Sequence, residues 1–202
     1  MISAIIHGII LAFGLILPLG VQNVFVFNQG ATQPKIRKAL PVVLTAAICD
    51  TILISLAVLG ISVIVLGVYW IKVVLLTVGA IFLLFMGYVT WRNKPNLNSS
   101  DNALSPKKQI AFATSVSLLN PHAIMDTIGV IGTSSISYSG IEKLGFTLAC
   151  IAISWMWFFS LALIGRQVGR LHNSEGFISI LNKISAFIMW GTAIYLFSSL
   201  IS

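Results

Sequence analysis

The chain has 202 residues, 57% of them hydrophobic and 8% charged, with a mean hydropathy of +1.00. Values so far from those of soluble globular domains define an integral membrane protein. Twelve Lys and Arg against five Asp and Glu give a formal charge of +7, and the basic residues fall where they orient a membrane protein, which excludes a nucleic-acid partner.

A spanning helix needs about 20 mostly apolar residues, and six such stretches occur, at 4–27, 40–66, 69–91, 110–133, 143–165 and 177–201. Runs such as LISLAVLGISVIVLGV lack the alternation of a barrel strand, and lipid offers no partner to open backbone, so the predicted fold is all-α with six transmembrane helices. The first, opening on MISAIIHGIILAFG, has no basic leader and no small-residue cleavage site and is expected to remain as an anchor. Pro18 removes an amide from it and displaces the Gly14 carbonyl, so helix 1 is expected to break near mid-depth. Gly20 then allows close backbone approach, and Gln22 and Asn23 supply neutral donors and acceptors.

The second helix carries Asp50 about eleven residues in, roughly 16 Å along its axis, after the small residues Ala46 and Ala47. Cys49 and Cys150, the only cysteines, both lie inside spans and read as buried small hydrophobes rather than a disulfide or zinc site. After the third span, WRNKPNLNSSDNALSPKKQ (91–109) has no apolar period and reads as a cytoplasmic linker. It divides the chain into a first three-helix half (1–91), the linker (92–109) and a second three-helix half (110–202).

The fourth span contains SLLNPHAIMD (117–126). Asn120 suits an N-cap and Pro121 a first helical position, so a new segment is expected to begin there, displacing the Ser117 carbonyl. The amides and positive dipole end of that segment suit an anion such as an α-carboxylate. Asp126 lies one turn beyond His122 on the same face. An ionised carboxylate in hydrocarbon costs several kcal/mol unless it meets a cavity or partner, so Asp50 and Asp126 are candidate functional residues. Asp101, Glu142 and Glu175 fall in loops or at membrane edges, and no Lys or Arg is deep enough to be a permanent counter-ion. A cationic ligand or a proton would fill that role; His122 suits either contact with one of them or helix packing.

The two halves share short words: LILPLGVQN with SLLNPHAIMD, LAVLG (56–60) with LALIG (161–165), and Gly79 with Gly191, at offsets of about 103 to 112. Three helices per half would invert the copies across the membrane plane, giving an inverted 3+3 repeat with Pro-broken helices 1 and 4. The odd-numbered loops hold Lys35, Arg37 and Lys38, then Arg92, Lys94, Lys107 and Lys108, then Arg166 and Arg170. By the positive-inside rule these loops face the cytoplasm and both termini lie outside.

The segments LPLGVQNVFVFNQG (17–30), AAICDTILI (46–54), LLNPHAIMDT (118–127) and SWMWFFSLALIG (154–165) resemble the lysine/arginine exporter (LysE-type) family, most closely its arginine exporter branch. The resemblance implies a small bacterial inner-membrane exporter of arginine, lysine or analogues, driven by an ion gradient, with no cofactor. Two departures stand out: Val21 replaces a frequent second proline, which predicts a softer break in helix 1, and Leu119 replaces a frequent tryptophan, which bears on substrate choice. The aspartates, Asn23, Asn120 and Pro121 match the family pattern.

The expected function is therefore secondary export of basic amino acids, with Asp50 and Asp126 serving the cation and the proton and Gln22, Asn23, Asn120 and His122 completing the substrate site. Moving a monovalent cation outward against about 100 mV costs roughly 2.3 kcal/mol, which an entering proton cancels. The alternative is export of neutral amino acids or divalent metal ions within the same superfamily. Metals want several converging His, Cys or carboxylate ligands, whereas the candidates set within spans beyond the edges are Asp50, Asp126, His122 and at most Cys49, so no metal site is expected. Absence of a phosphate loop, an HExxH motif or a nucleophile elbow argues against an enzyme. Expected partners are the amino acid, protons, the bilayer and a second copy of the chain.

Overall fold

The computed structural model describes residues 1–17, 20–60, 69–92, 104–118, 123–124, 127–170 and 174–201. The expectations placed on Pro18, Leu119, Asn120, Pro121, His122 and Asp126 lie outside the described residues. Among those described, every regular element is helical: α1 (Ile2–Ile16), α2 (Val21–Thr32), α3 (Ile36–Val58), α4 (Tyr69–Arg92), α5 (Pro106–Leu118), a π-helical stretch (Thr127–Gly132), the single turn α6 (Thr133–Ser135), α7 (Gly140–Gly169) and α8 (Ser174–Ile201).

The helices are arranged for lipid rather than water. α3 exposes Leu44, Ile48, Ile52 and Leu56 at every fourth position while burying Val42, Val43, Ala46, Ala47 and Ala57. α7 exposes Leu144, Leu148, Met156 and Leu163 while burying Ala149, Cys150, Ser154, Ala162 and Gly165. Large apolar side chains outside and small or polar ones inside suit a solvent as apolar as leucine, where close packing and hydrogen bonds hold helices together. Both α3 and α7 are long and apolar enough to cross a bilayer alone, and α1 and α2 are so as a bent pair. Singly, α1 and α2 measure about 22 and 18 Å, short of a hydrocarbon core of about 30 Å.

The α1–α2 turn corrects one expectation. The two axes lie at 80°, a sharp bend, although Val21 replaces a proline. Gly20 has left the helical region altogether (φ −77°, ψ 174°), so the chain redirects before residue 21 is reached. Val21 serves instead as the first residue of α2, buried with Leu83, Val116 and Met189.

α2 is enclosed by the rest of the protein: eight of its twelve residues are buried, including Asn23, Asn28 and Gln29. α1, α2 and α3 all pack on α7; α5 and the π-helical stretch pack on α3; α4 pairs with α8, which also touches α2. The α2–α7 crossing is backbone on backbone. A Cβ on Gly30 would sit 2.2 Å from the Ala162 carbonyl oxygen, and one on Gly165 would sit 2.2 Å from that of Phe27. Gly165 and Gly169 form a GxxxG stripe that permits this approach.

α5 starts at Pro106, four residues before the predicted fourth span and within the predicted linker, with proline at the first helical position where its missing N–H costs nothing. Gln109, expected in solvent, is fully buried. Its Nε2 donates to the carbonyls of Lys38 and Leu104, both at 2.9 Å, and Gln33 Nε2 donates to Leu104 at 3.0 Å. These bonds tie the start of α5 to the α2–α3 corner and gather the exposed Lys35, Arg37, Lys38, Lys107 and Lys108 at one end of the molecule. Lys183, over the Trp91 ring at 5.8 Å, meets the last turn of α4 beside Arg92. At the opposite end the Met1 ammonium pairs with Glu142, and His7 Nδ1 lies 2.8 Å from the Tyr138 hydroxyl.

Candidate functional site

The break between α1 and α2 opens onto a cavity of about 370 Å³ walled by α1, α2, α3, α7 and α8. Apolar side chains, among them Leu15, Ile54, Phe158 and Met189, form most of the wall; Gln22, Asn23, Asp50, Thr127, Ser154 and Thr192 supply its polar groups.

Asp50 is half-buried at this wall, and both its oxygens are engaged. Oδ1 accepts from Gln22 Nε2 at 3.2 Å and Oδ2 accepts from Ser154 Oγ at 2.8 Å. One residue further along both helices, Trp155 Nε1 donates to Thr51 Oγ1 at 3.0 Å, which fixes the register of α7 against α3. An ionised carboxylate offers about four lone-pair directions, so two neutral donors leave capacity for an ammonium or guanidinium arriving through the cavity. No Lys or Arg lines the cavity among the described residues.

Asn23 works at the break itself. Its Nδ2 donates to the Ile16 carbonyl at 2.7 Å, satisfying one of the open acceptors at the end of α1 and holding the two segments together. The Val24 amide donates to the Gly20 carbonyl at 3.1 Å, which places the N-terminal turn of α2, residues 21 to 23, beside the cavity.

Of the residues singled out in the sequence, the structure brings Gly20, Gln22, Asn23 and Asp50 to one cavity. Pro18, Asn120, Pro121, His122 and Asp126 lie outside the described residues, but Ala123 and Thr127, flanking Asp126, both line the same cavity. Cys49 and Cys150 are free and buried, as expected. Cys150 also lines the cavity, its Sγ lying 3.5 Å from the Gly8 carbonyl. Among the described residues no group of three or more His, Cys, Asp or Glu side chains converges as metal ligands would.

Sequence reasoning missed Ser154, the shortest hydrogen-bond partner of Asp50. Two signals pointed to it: Cys150 and Ser154 put small polar groups one turn apart on an apolar helix, and the offset of 104 between Asp50 and Ser154 falls within the range expected for an internal repeat. It also missed the buried amides Asn28, Gln29, Gln33 and Asn182, which a window of mean apolarity averages away.

Comparison with known proteins finds relatives along nearly the whole chain. The family described as LysE type translocator matches residues 13–200. A protein of Bacillus subtilis (strain 168) carrying the provisional name amino-acid transporter YisU is 58% identical over 194 residues, covering 96% of this chain and 88% of its own. Arginine exporter protein ArgO of Salmonella typhi is 31% identical over 195 residues, covering 94% of this chain and 91% of its own. ArgO of Pectobacterium atrosepticum is 30% identical over 196 residues, covering 95% of each. No solved structure matches the chain.

Proposed function

Since the chain belongs to the LysE type translocator family, and is thus a membrane transporter of amino acids rather than an enzyme, we propose that it exports arginine and related basic amino acids from the cytoplasm by proton antiport. The observation that carries this reading is Asp50, a carboxylate on a largely apolar cavity whose hydrogen-bond partners among the described residues, Gln22 and Ser154, are neutral. Such a group attracts a cationic side chain, and relatives named arginine exporters point to the same substrate class. Asp50 and Asp126 serve the cation and the proton. Gln22, Asn23, Asn120 and His122 complete the substrate site, and the half-helix ends after Pro18–Gly20 and at Pro121 hold the α-carboxylate.

The chain is proposed to cross the inner membrane of a bacterium six times, with both termini outside and the basic end in the cytoplasm. Its halves, 1–91 and 110–202 about the linker 92–109, form an inverted repeat. Reciprocal packing supports this. α1 and α2 of the first half pack on α7 of the second, α5 and the π-helical stretch of the second pack on α3 of the first, and the last helices, α4 and α8, pack on each other. A two-fold axis in the membrane plane generates that exchange.

The test is transport of labelled arginine, lysine and leucine by the purified protein in liposomes under an imposed pH gradient. Arginine should move much faster than leucine and stop when an uncoupler collapses the gradient. Arginine moving no faster than leucine would shift the assignment to neutral amino acids; arginine transport indifferent to the uncoupler would remove the proton.

A further inference from the structure

Between the cavity and the basic end lies a second polar cluster that the reading above does not use. Asn28 on α2 donates from Nδ2 to Asn182 Oδ1 on α8 at 2.7 Å, a bond between buried side chains 154 positions apart in the chain. Asn28 is 8% exposed, Asn182 1% and Ser185 0%. Ser185 follows Asn182 by three positions on α8, so the two share a face of that helix. Asn28 Oδ1 and Ser185 Oγ are both sealed from solvent with no hydrogen-bond partner among the described residues. Buried acceptors are nearly always paired in folded proteins, so two such oxygens, one on each of two touching helices and with Ser185 one turn from the Asn28–Asn182 bond, point to a group that is not always present.

Their position says what that group is. Asn28 is six residues beyond Gln22 along α2, about 9 Å further toward the basic end, and Asn182 is seven residues from the cavity-lining Met189, about 10 Å in the same direction. Amide and hydroxyl oxygens accept hydrogen bonds, whereas ammonium and guanidinium groups only donate them. A neutral acceptor set attracts such a cation without the full strength of a carboxylate and therefore releases it onward. We propose that Asn28, Asn182 and Ser185 form a second, charge-free station for the cationic group of the substrate on the way from the basic end to Asp50, and that the Asn28–Asn182 bond is its closed form. The inference rests on the cationic substrate proposed above.

Sided transport in liposomes tests it, with labelled arginine presented to the basic face or to the opposite face of the reconstituted full chain. Ser185→Ala removes a hydroxyl that bonds nothing in the closed form and raises helix propensity, so a structural role predicts no loss. The station predicts a rise of about tenfold in the half-saturating arginine concentration at the basic face, the worth of one hydrogen bond to a charged donor, and none at the other face. Asn28→Asp places a carboxylate at nearly the same volume, and should lower both the half-saturating concentration and the maximal rate by holding the cation too long. Wild-type half-saturation at the basic face in Ser185→Ala, at matched reconstituted protein, would overturn the station alone. A wild-type chain that does not move arginine would overturn the proposed substrate and the station with it.

Discussion

α2 meets two of its neighbours, α7 and α8, in opposite ways. Toward α7 it presents glycine and carbonyl oxygen, with Gly30, Gly165 and Gly169 leaving no room for a methyl group on either side. The seam with α8 instead holds an amide pair and two buried oxygens, Asn28 Oδ1 on α2 and Ser185 Oγ on α8, that find no partner among the described residues. A seam with no slack moves as one body, because packed interiors are not continuously deformable. A seam with unmet acceptors has another arrangement available in which they are met. α2 is therefore expected to travel with α7, and the path from the basic end to Asp50 to open along α8 and its partner α4.

The largest effect should come from closing the gap in the tight seam. In Gly165→Ala the new Cβ would lie 2.2 Å from the Phe27 carbonyl oxygen and 3.0 Å from its carbon, both backbone atoms, so the helices themselves have to separate. Overpacking of this kind costs about 1–3 kcal/mol, and rigid backbone on both sides puts this site at the upper end. Thermal aggregation of the detergent-solubilised protein should show a clearly lowered midpoint. An unchanged midpoint would mean that α2 and α7 have slack after all, and the comparison between the seams would fail.

Next comes the site that both seams enclose. Asp50→Asn keeps size and hydrogen-bonding capacity but cannot ionise, so the protein should reach the membrane at normal abundance and lose arginine export by about tenfold or more, the worth of a charge-assisted hydrogen bond. Asp126→Asn should behave alike. Ser154→Ala, which frees Oδ2 of Asp50 but leaves its charge, should lower export only a few-fold. Wild-type export in Asp50→Asn at matched abundance would return Asp50 to a packing role.

Much of this was legible in the chain because lipid makes polarity expensive. An aspartate or a glycine–glutamine–asparagine run inside an apolar span announces itself, and Gly20, Gln22, Asn23 and Asp50 do line one cavity. The sharpness of the α1–α2 bend was misjudged because proline counting ignores that a single extended residue at the N-cap, here Gly20, redirects the chain without a second proline. Gln109 was misplaced for a different reason. Its neighbours Lys107 and Lys108 are solvated, and only the tertiary position of the Lys38 and Leu104 carbonyls makes a buried amide worthwhile there. The Asn28–Asn182 pair joins residues 154 positions apart, and no local pattern reports a contact of that range.

The smallest effect is expected at a glycine that looks equally crowded. A Cβ on Gly87 of α4 would lie 2.4 Å from Trp190 Nε1 and 2.6 Å from its Cδ1, distances close to those at Gly165. Here, however, the obstacle is a partly exposed side chain rather than backbone, packed on Trp91 and Phe187 but able to shift about two torsions. Turning it breaks the Trp190 Nε1 bond to the Leu84 carbonyl, at 3.2 Å, a loss of about 0.5–1.5 kcal/mol. Replacing a mid-helix glycine by alanine returns about 0.8–1 kcal/mol. Gly87→Ala should therefore stay within about 1 kcal/mol of the wild type in the same thermal assay and export arginine normally. A loss as large as that of Gly165→Ala would show that α8 is clamped to α4 as firmly as α2 is to α7, and the opening would then have to be sought elsewhere.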